Sequence, residues 1–62
     1  MKKYLVNFVK DGQKTAAFEA NDFQAVGEFV AKNNDQNSTI ELVIFDDAGN
    51  IADTRYYYPL VH

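Results

Sequence analysis

Alternating apolar side chains predict four strands in this chain. Between about residues 3 and 9, Tyr4, Val6 and Phe8 share one side of an extended segment, and the residues between them share the other. A period of two is typical of a β-strand. The same pattern predicts further strands over about residues 14–20, 39–46 and 50–58, and the third of these four is the strongest.

An Asp-Gly pair after the first strand predicts a hairpin, and two loop lengths are open. A two-residue loop pairs Lys10 with Gln13 and leaves Phe18 on the side opposite to Phe8. A three-residue loop with the glycine in a left-handed bulge pairs Val9 with Gln13 and brings the two phenylalanines to one side. We favour the bulged loop because it keeps the aromatic side chains together.

The second hairpin is expected to have the same construction, with Gly49 in a left-handed bulge after Asp47 and Ala48. This loop brings Asp46 opposite Asn50. The register that follows also places Glu41 opposite Arg55, Val43 opposite Asp53, and Phe45 opposite Ile51.

A helix is predicted between the hairpins, over about residues 22–33. Asn21 is a suitable N-cap, and Gln24 stands in the capping-box position three residues later. The apolar side has helical spacing, and Gly27 on that side predicts a close approach of the helix to the sheet. An asparagine-rich run from Asn33 ends the helix. The four residues of the predicted apolar side are Phe23, Val26, Gly27 and Val30.

These elements predict a single α+β domain over residues 1–62, with a ββαββ order and one helix packed on a four-stranded, mainly antiparallel sheet. The strand order 2-1-3-4 makes every neighbouring pair antiparallel and gives the helix a natural crossover. The predicted core consists of Tyr4, Val6, Phe8, Phe18, Phe23, Val26, Val30, Ile40, Leu42, Ile44 and Tyr56.

The second half of the chain carries a resemblance. The run Glu41-Leu42-Val43-Ile44, the acidic turn with Gly49, and the tyrosine-rich strand after Ile51 resemble the final hairpin of a family of small uncharacterised bacterial ββαββ domains. The order of elements matches over residues 4–58. Members of the family often carry basic residues and a tryptophan that this chain lacks. The resemblance implies a bacterial origin and nothing about activity.

The composition and charge of the chain argue against nucleic-acid and membrane partners. The 62 residues include no cysteine, and the net charge is −3 with a pI of about 4.7. A negative charge opposes attraction to phosphate backbones and to anionic lipid, so no nucleic-acid partner is expected. No run of about 18 apolar residues occurs, and no signal cleavage site follows the start. We therefore expect no membrane association and a cytoplasmic location.

Candidate chemistry is sparse, so we expect no enzyme, no cofactor, no metal and no small-molecule substrate. The one histidine, His62, is the last residue, where it is poorly placed to act as a general base. Asp46 and Asp47 lack the ligand pattern of a calcium loop. Tyr56 and Tyr58 should point to one side of the last strand and Tyr57 to the other, which gives no continuous platform for stacked bases.

The side of the sheet that the helix leaves uncovered is the strongest functional signal, because apolar positions recur there among polar ones. An apolar patch with a polar rim is typical of a protein interface. The leading hypothesis is a non-enzymatic module that self-associates or binds a protein partner through this side. The predicted interface residues are Leu5, Val9, Val43, Phe45, Ile51 and Tyr57.

An alternative from another functional class is a small acidic inhibitor, of the phage type, that occupies a nucleic-acid-binding site on another protein. Such a protein needs carboxylates arrayed along one surface at a phosphate-like spacing. Glu19, Glu41 and Asp53 are the candidates for that array.

Overall fold

The computed structural model describes residues 3–33 and 38–58 of the chain. The predicted ββαββ order is confirmed, and every predicted boundary lies within one residue of the observed one. The predictions for residues 34–37 of the asparagine-rich run and for His62 lie outside the described residues. The elements are β1 (Lys3–Lys10), β2 (Gln13–Ala20), α1 (Phe23–Asn33), β3 (Thr39–Phe45) and β4 (Ile51–Tyr57).

The four strands form one antiparallel sheet in the order β2-β1-β3-β4, as predicted. The two hairpins lie side by side, and β1 and β3 are the central strands. The strands β2 and β4 are the edge strands. The segment containing α1 connects β2 to β3, which are not neighbours in the sheet.

The core forms where α1 packs over β1 and β2. Phe29, which the sequence prediction missed, stacks on Phe18 with ring centroids 4.5 Å apart and lies 6.0 Å from the ring of Phe8. Phe23 was wrongly assigned to the core: it begins α1 and is exposed, although its ring lies 5.5 Å from Tyr4. The buried residues of the core cluster are Tyr4, Val6, Val26, Ile40, Leu42 and Ile44.

The start and the packing of α1 both differ from the sequence prediction. Asp22, not Asn21, caps the helix, because its Oδ1 accepts a hydrogen bond of 3.1 Å from the backbone N–H of Gln24. Gly27 does not face the sheet. It is exposed, and a methyl group added there would have no neighbour within 4 Å. Val26, Phe29 and Val30 form the face that packs on the sheet.

The first hairpin has the two-residue loop, so the preferred three-residue loop was wrong. Lys10 pairs with Gln13, and both loop residues have positive φ, 53° at Asp11 and 79° at Gly12. Positive φ at both positions is the geometry of a type I′ turn, whose twist matches that of the strands. Phe18 still reaches the core side, because β2 contains a bulge at residue 17 that shifts the register between Phe18 and the turn.

The second hairpin has the predicted loop but a different register. Gly49 is left-handed with φ of 86°, and the N–H of Asp46 donates a 2.8 Å hydrogen bond to the carbonyl of Asn50. Phe45 faces Ile51 as predicted. A bulge at residue 52 then moves every later pair by one position, so the other predicted pairs were wrong. The observed pairs are Ile44 with Asp53, Val43 with Thr54, Leu42 with Arg55, and Glu41 with Tyr56.

This shift exchanges the sides of two tyrosines. Tyr57 faces Ile40 and packs against the core cluster, whereas Tyr56 faces Glu41 on the opposite side of the sheet and is exposed. The core assignment of Tyr56 was therefore wrong, as was the placement of Tyr57 on the uncovered side. We call the side of the sheet opposite to α1 the outer face. Its central positions are Leu5, Asn7, Glu41, Val43, Thr54 and Tyr56.

Candidate functional site

A buried carboxylate lies at the centre of the outer face. Glu41 is only 5% exposed, although no helix covers it. Its Oε1 accepts a hydrogen bond of 3.0 Å from Nδ2 of Asn7 and lies 3.1 Å from Nζ of Lys14, and its Oε2 accepts a hydrogen bond of 3.0 Å from the hydroxyl of Tyr56. We call these four residues the Glu41 cluster.

The Glu41 cluster takes one residue from each strand, in the spatial order Lys14, Asn7, Glu41 and Tyr56. Asn7 and Tyr56 are the direct cross-strand neighbours of Glu41, and Lys14 reaches over β1 to it. The cluster is therefore a polar belt across the whole sheet. Charge-assisted hydrogen bonds of this kind are stronger than neutral ones, so the belt holds the outer face in one arrangement.

The electrostatics of the cluster follow from these contacts. The hydrogen bond from Asn7 lowers the pKa of Glu41, Lys14 and Tyr56 lower it further, and burial opposes them; the net direction is downward. The hydrogen bond to Glu41 raises the pKa of Tyr56, because the hydroxyl of Tyr56 donates to the carboxylate. Ionisation of that hydroxyl would also place two negative charges together. Glu41 is thus kept charged and Tyr56 neutral near pH 7.

The sequence prediction missed this cluster, although a signal for it was present. Asn7 stands in the middle of an otherwise apolar alternation in β1, and Glu41 is the one charged residue of β3. A buried polar side chain in a strand needs a partner. Asn7 and Glu41 lie on neighbouring central strands, so each is a candidate partner for the other. The position of Tyr56 opposite Glu41 depends on the bulge at residue 52.

Apolar side chains adjoin the Glu41 cluster towards the second hairpin loop. Val43 is 8% exposed and lies between Leu5 on one side and Thr54 on the other. Phe45 is partly buried and is paired with Ile51, which is 64% exposed. Five of the six predicted interface residues lie on the outer face. Those five are Leu5, Val9, Val43, Phe45 and Ile51, and Tyr57 is the exception.

Exposed apolar surface is concentrated along β4. Among the described residues, four large hydrophobic side chains are exposed, and three of them belong to this edge. Ile51 and Tyr56 lie on the outer face, and Tyr58, which follows β4, stacks on Tyr56 with centroids 6.4 Å apart. Tyr56 is 50% and Tyr58 70% exposed. We call Ile51, Tyr56 and Tyr58 the β4 row.

The outer face is balanced in charge. In the described part of the chain it carries two lysines and two glutamates, and these form two pairs: Lys3 with Glu19 at 3.3 Å, and Lys14 with Glu41 at 3.1 Å. The other charged residues in this part are three cations and six carboxylates. The net negative charge therefore lies on the helix, the turns and the other side of the sheet.

The carboxylate array required by the inhibitor hypothesis does not form on one face. Asp53 pairs with Ile44 on the core side of the sheet, opposite to Glu19 and Glu41. Glu19 and Glu41 each lie against a lysine. The expectation that these three residues line one surface was therefore wrong.

Within residues 3–33 and 38–58, no group of three histidine, cysteine, aspartate or glutamate side chains converges to hold a metal ion. The side chain of Asp46 stabilises the second hairpin loop, because its Oδ1 accepts hydrogen bonds from the N–H groups of Ala48 and Asn50, at 3.0 and 2.9 Å. No helix in the described part of the chain is long and apolar enough to cross a membrane.

Comparisons of the chain with protein-family models, with curated proteins and with solved structures found no match. The resemblance to small bacterial ββαββ domains thus stays a prediction.

Proposed function

We propose that this chain is a non-enzymatic, cytoplasmic interaction module that self-associates through its outer face. The observation that carries the proposal is the β4 row, in which Tyr56 and Tyr58 stack on each other and Ile51 is exposed two outer-face positions away, beyond Thr54. Contiguous exposed apolar surface with a polar surround is typical of protein interfaces. Tyrosine is also enriched in them.

A second copy of the chain is the partner that the charges favour. Two copies that meet through helices and turns bring their excess carboxylates together. Two copies that meet through outer faces bring together surfaces with two cations and two anions each. Two-fold symmetric dimers are the commonest assemblies, and they require a surface that is complementary to itself. The equal numbers of cations and anions on the outer face avoid a net charge repulsion between two copies.

The Glu41 cluster supports a binding role over a catalytic one. The carboxylate already accepts hydrogen bonds from Asn7 and Tyr56 and is paired with Lys14. A general base must have a lone pair directed at a substrate proton, and this carboxylate is directed at its own neighbours. A polar group satisfied within one chain also costs little further desolvation when a partner covers it.

The proposed affinity is modest. Each fully buried valine, isoleucine or phenylalanine contributes about 1.5 to 3 kcal/mol, and association itself costs about 4 kcal/mol or more. The few side chains of the β4 row therefore support dissociation constants of roughly micromolar to millimolar.

Light scattering over a concentration series tests the proposal with Ile51→Lys. This substitution places a charge in the β4 row at a site that is already largely exposed, so the fold should be retained. Ala31→Lys, at an exposed position of α1, adds the same charge away from the outer face. We expect the wild type and Ala31→Lys to increase in mass together, and Ile51→Lys to associate at least about tenfold more weakly. A wild type that stays monomeric at the highest concentration would contradict the proposal.

A further inference from the structure

Among the described residues, β4 is an edge strand, so one side of its backbone pairs with no other strand. Asp46 N–H donates to the carbonyl of Asn50, which fixes the alternation of hydrogen bonds between β3 and β4. Asp53, Arg55 and Tyr57 direct their backbone groups at β3, in pairs with Ile44, Leu42 and Ile40. Thr54, midway between Asp53 and Arg55, consequently directs its N–H and C=O away from the sheet.

The side chain of Asp53 covers this edge. Its Oδ1 accepts a hydrogen bond of 2.9 Å from the N–H of Thr54, and its Oδ2 accepts one of 3.1 Å from Nε of Arg55. Both charged side chains are about half exposed. Natural edge strands often carry charges that discourage indiscriminate pairing. A strand that pairs here must displace the Asp53 carboxylate and give it a new cation.

We propose that β4 pairs antiparallel with β4 of a second copy, about a two-fold axis at Thr54, to form a continuous eight-stranded sheet. This inference rests on the proposed self-association, but it joins the two copies at the β4 edge, so that their outer faces lie side by side on one side of the sheet and do not face each other. In this register Asp53 lies directly opposite the partner's Arg55, and the symmetry repeats the pair. The N–H of Thr54 then donates to the carbonyl of the partner's Thr54 in place of the carboxylate.

The charges of Asp53 and Arg55 favour the axis at Thr54 over axes at nearby residues. An axis at Arg55 sets the two arginines opposite each other, which is repulsive. An axis at Tyr56 sets Arg55 opposite the partner's Tyr57, so that no Arg55 lies opposite the carboxylate of Asp53. Only the axis at Thr54 gives each Asp53 the partner's Arg55 in place of the Arg55 of its own strand.

The same pairing accounts for the exposure of the β4 row. Residues opposite each other in a continuous sheet lie on the same side of it. With the axis at Thr54, the bulge leaves Ala52 out of the pairing, so Tyr56 comes opposite the partner's Ile51 on the outer face. The two β4 rows therefore adjoin across the junction, and each covers part of the other.

Two single charge reversals test the register. Asp53→Arg leaves an arginine opposite the partner's Arg55, and Arg55→Asp leaves an aspartate opposite the partner's Asp53. We expect each variant alone to associate about tenfold or more weakly than the wild type. An equimolar mixture should form a one-to-one heterodimer, because both pairs across the axis are then of opposite charge. Native mass spectrometry distinguishes the heterodimer from either homodimer.

Thr54→Pro provides an independent test of the backbone contact. Proline removes the N–H that points away from β3 and leaves the β3 ladder intact. Thr54→Ala keeps that N–H and is the matched control. Circular dichroism of each variant establishes that the fold is retained. We expect Thr54→Pro to associate about tenfold or more weakly, and Thr54→Ala to associate as the wild type does.

The outcomes separate this inference from the proposed function. If Ile51→Lys abolishes association while the charge reversals and Thr54→Pro leave it unchanged, self-association through the outer face stands and edge pairing is wrong. Failure of the two charge variants to form a heterodimer when mixed would also overturn the register. A monomeric wild type would contradict both proposals.

Discussion

The hydroxyl of Tyr56 donates a hydrogen bond of 3.0 Å to Oε2 of Glu41, on a side of the sheet that no helix covers. The bulge at residue 52 creates this contact, because it shifts β4 by one position and brings Tyr56 instead of Arg55 opposite Glu41. One residue without a partner thus determines which tyrosine packs in the core and which lies on the outer face.

Removing the hydroxyl of Tyr56 should destabilise the fold. Tyr56→Phe deletes the hydrogen bond to a buried carboxylate, and we expect it to lower the urea midpoint because Glu41 loses one of its donors. Tyr58→Phe is the matched control, since it removes the same atom from a highly exposed ring, and it should change stability by less. Urea denaturation measures both. Equal losses for the two variants would contradict the role given to Tyr56.

Acid should weaken the fold through Glu41. Its contacts hold the pKa of the folded carboxyl below the ordinary value of 4.5, so the folded state resists protonation. The stability that this provides is present above pH 4.5 and is lost as the pH falls through the folded pKa. Glu41→Gln removes the titrating group and should therefore flatten the dependence of the urea midpoint on pH below about 5. Parallel curves for the wild type and Glu41→Gln would show that other groups govern the acid sensitivity.

The glycines should respond in opposite directions to the same substitution. Gly27→Ala adds a methyl group to an exposed helical position with no neighbour within 4 Å, and should stabilise the fold by about 0.5 to 1 kcal/mol. Gly49→Ala places a side chain at a φ of 86°, and should destabilise it by about 1 to 2 kcal/mol. Thermal denaturation compares them. A stabilising Gly49→Ala would contradict the left-handed loop.

The sequence predicted the elements and their order because these follow from periodicity and turn residues. The order β2-β1-β3-β4 followed from requiring antiparallel neighbours, and Gly49 in a left-handed loop followed from the turn chemistry. The alternation of Tyr4, Val6 and Phe8 correctly identified the core side of β1.

The registers were harder to predict because each hairpin contains a bulge within a strand. At the first hairpin, Phe8 and Phe18 lie on the same side of the sheet, as predicted. The bulge at residue 17 brings them there, whereas the prediction relied on a longer loop. Alanine at residues 17 and 52 gives no local signal for a bulge. An error of one position moves every later side chain to the opposite face, as it did for Tyr56 and Tyr57.

The most direct test of self-association through the outer face is a dilution series of ¹H–¹⁵N NMR spectra of the wild type. As concentration rises, we predict progressive shifts of the backbone amides of β4 and of its neighbours on the outer face, with Thr54 and Tyr56 among the largest. The exposed amides of α1, such as that of Ala31, should stay in place. Spectra that do not change with concentration, or shifts that are confined to α1, would contradict the account.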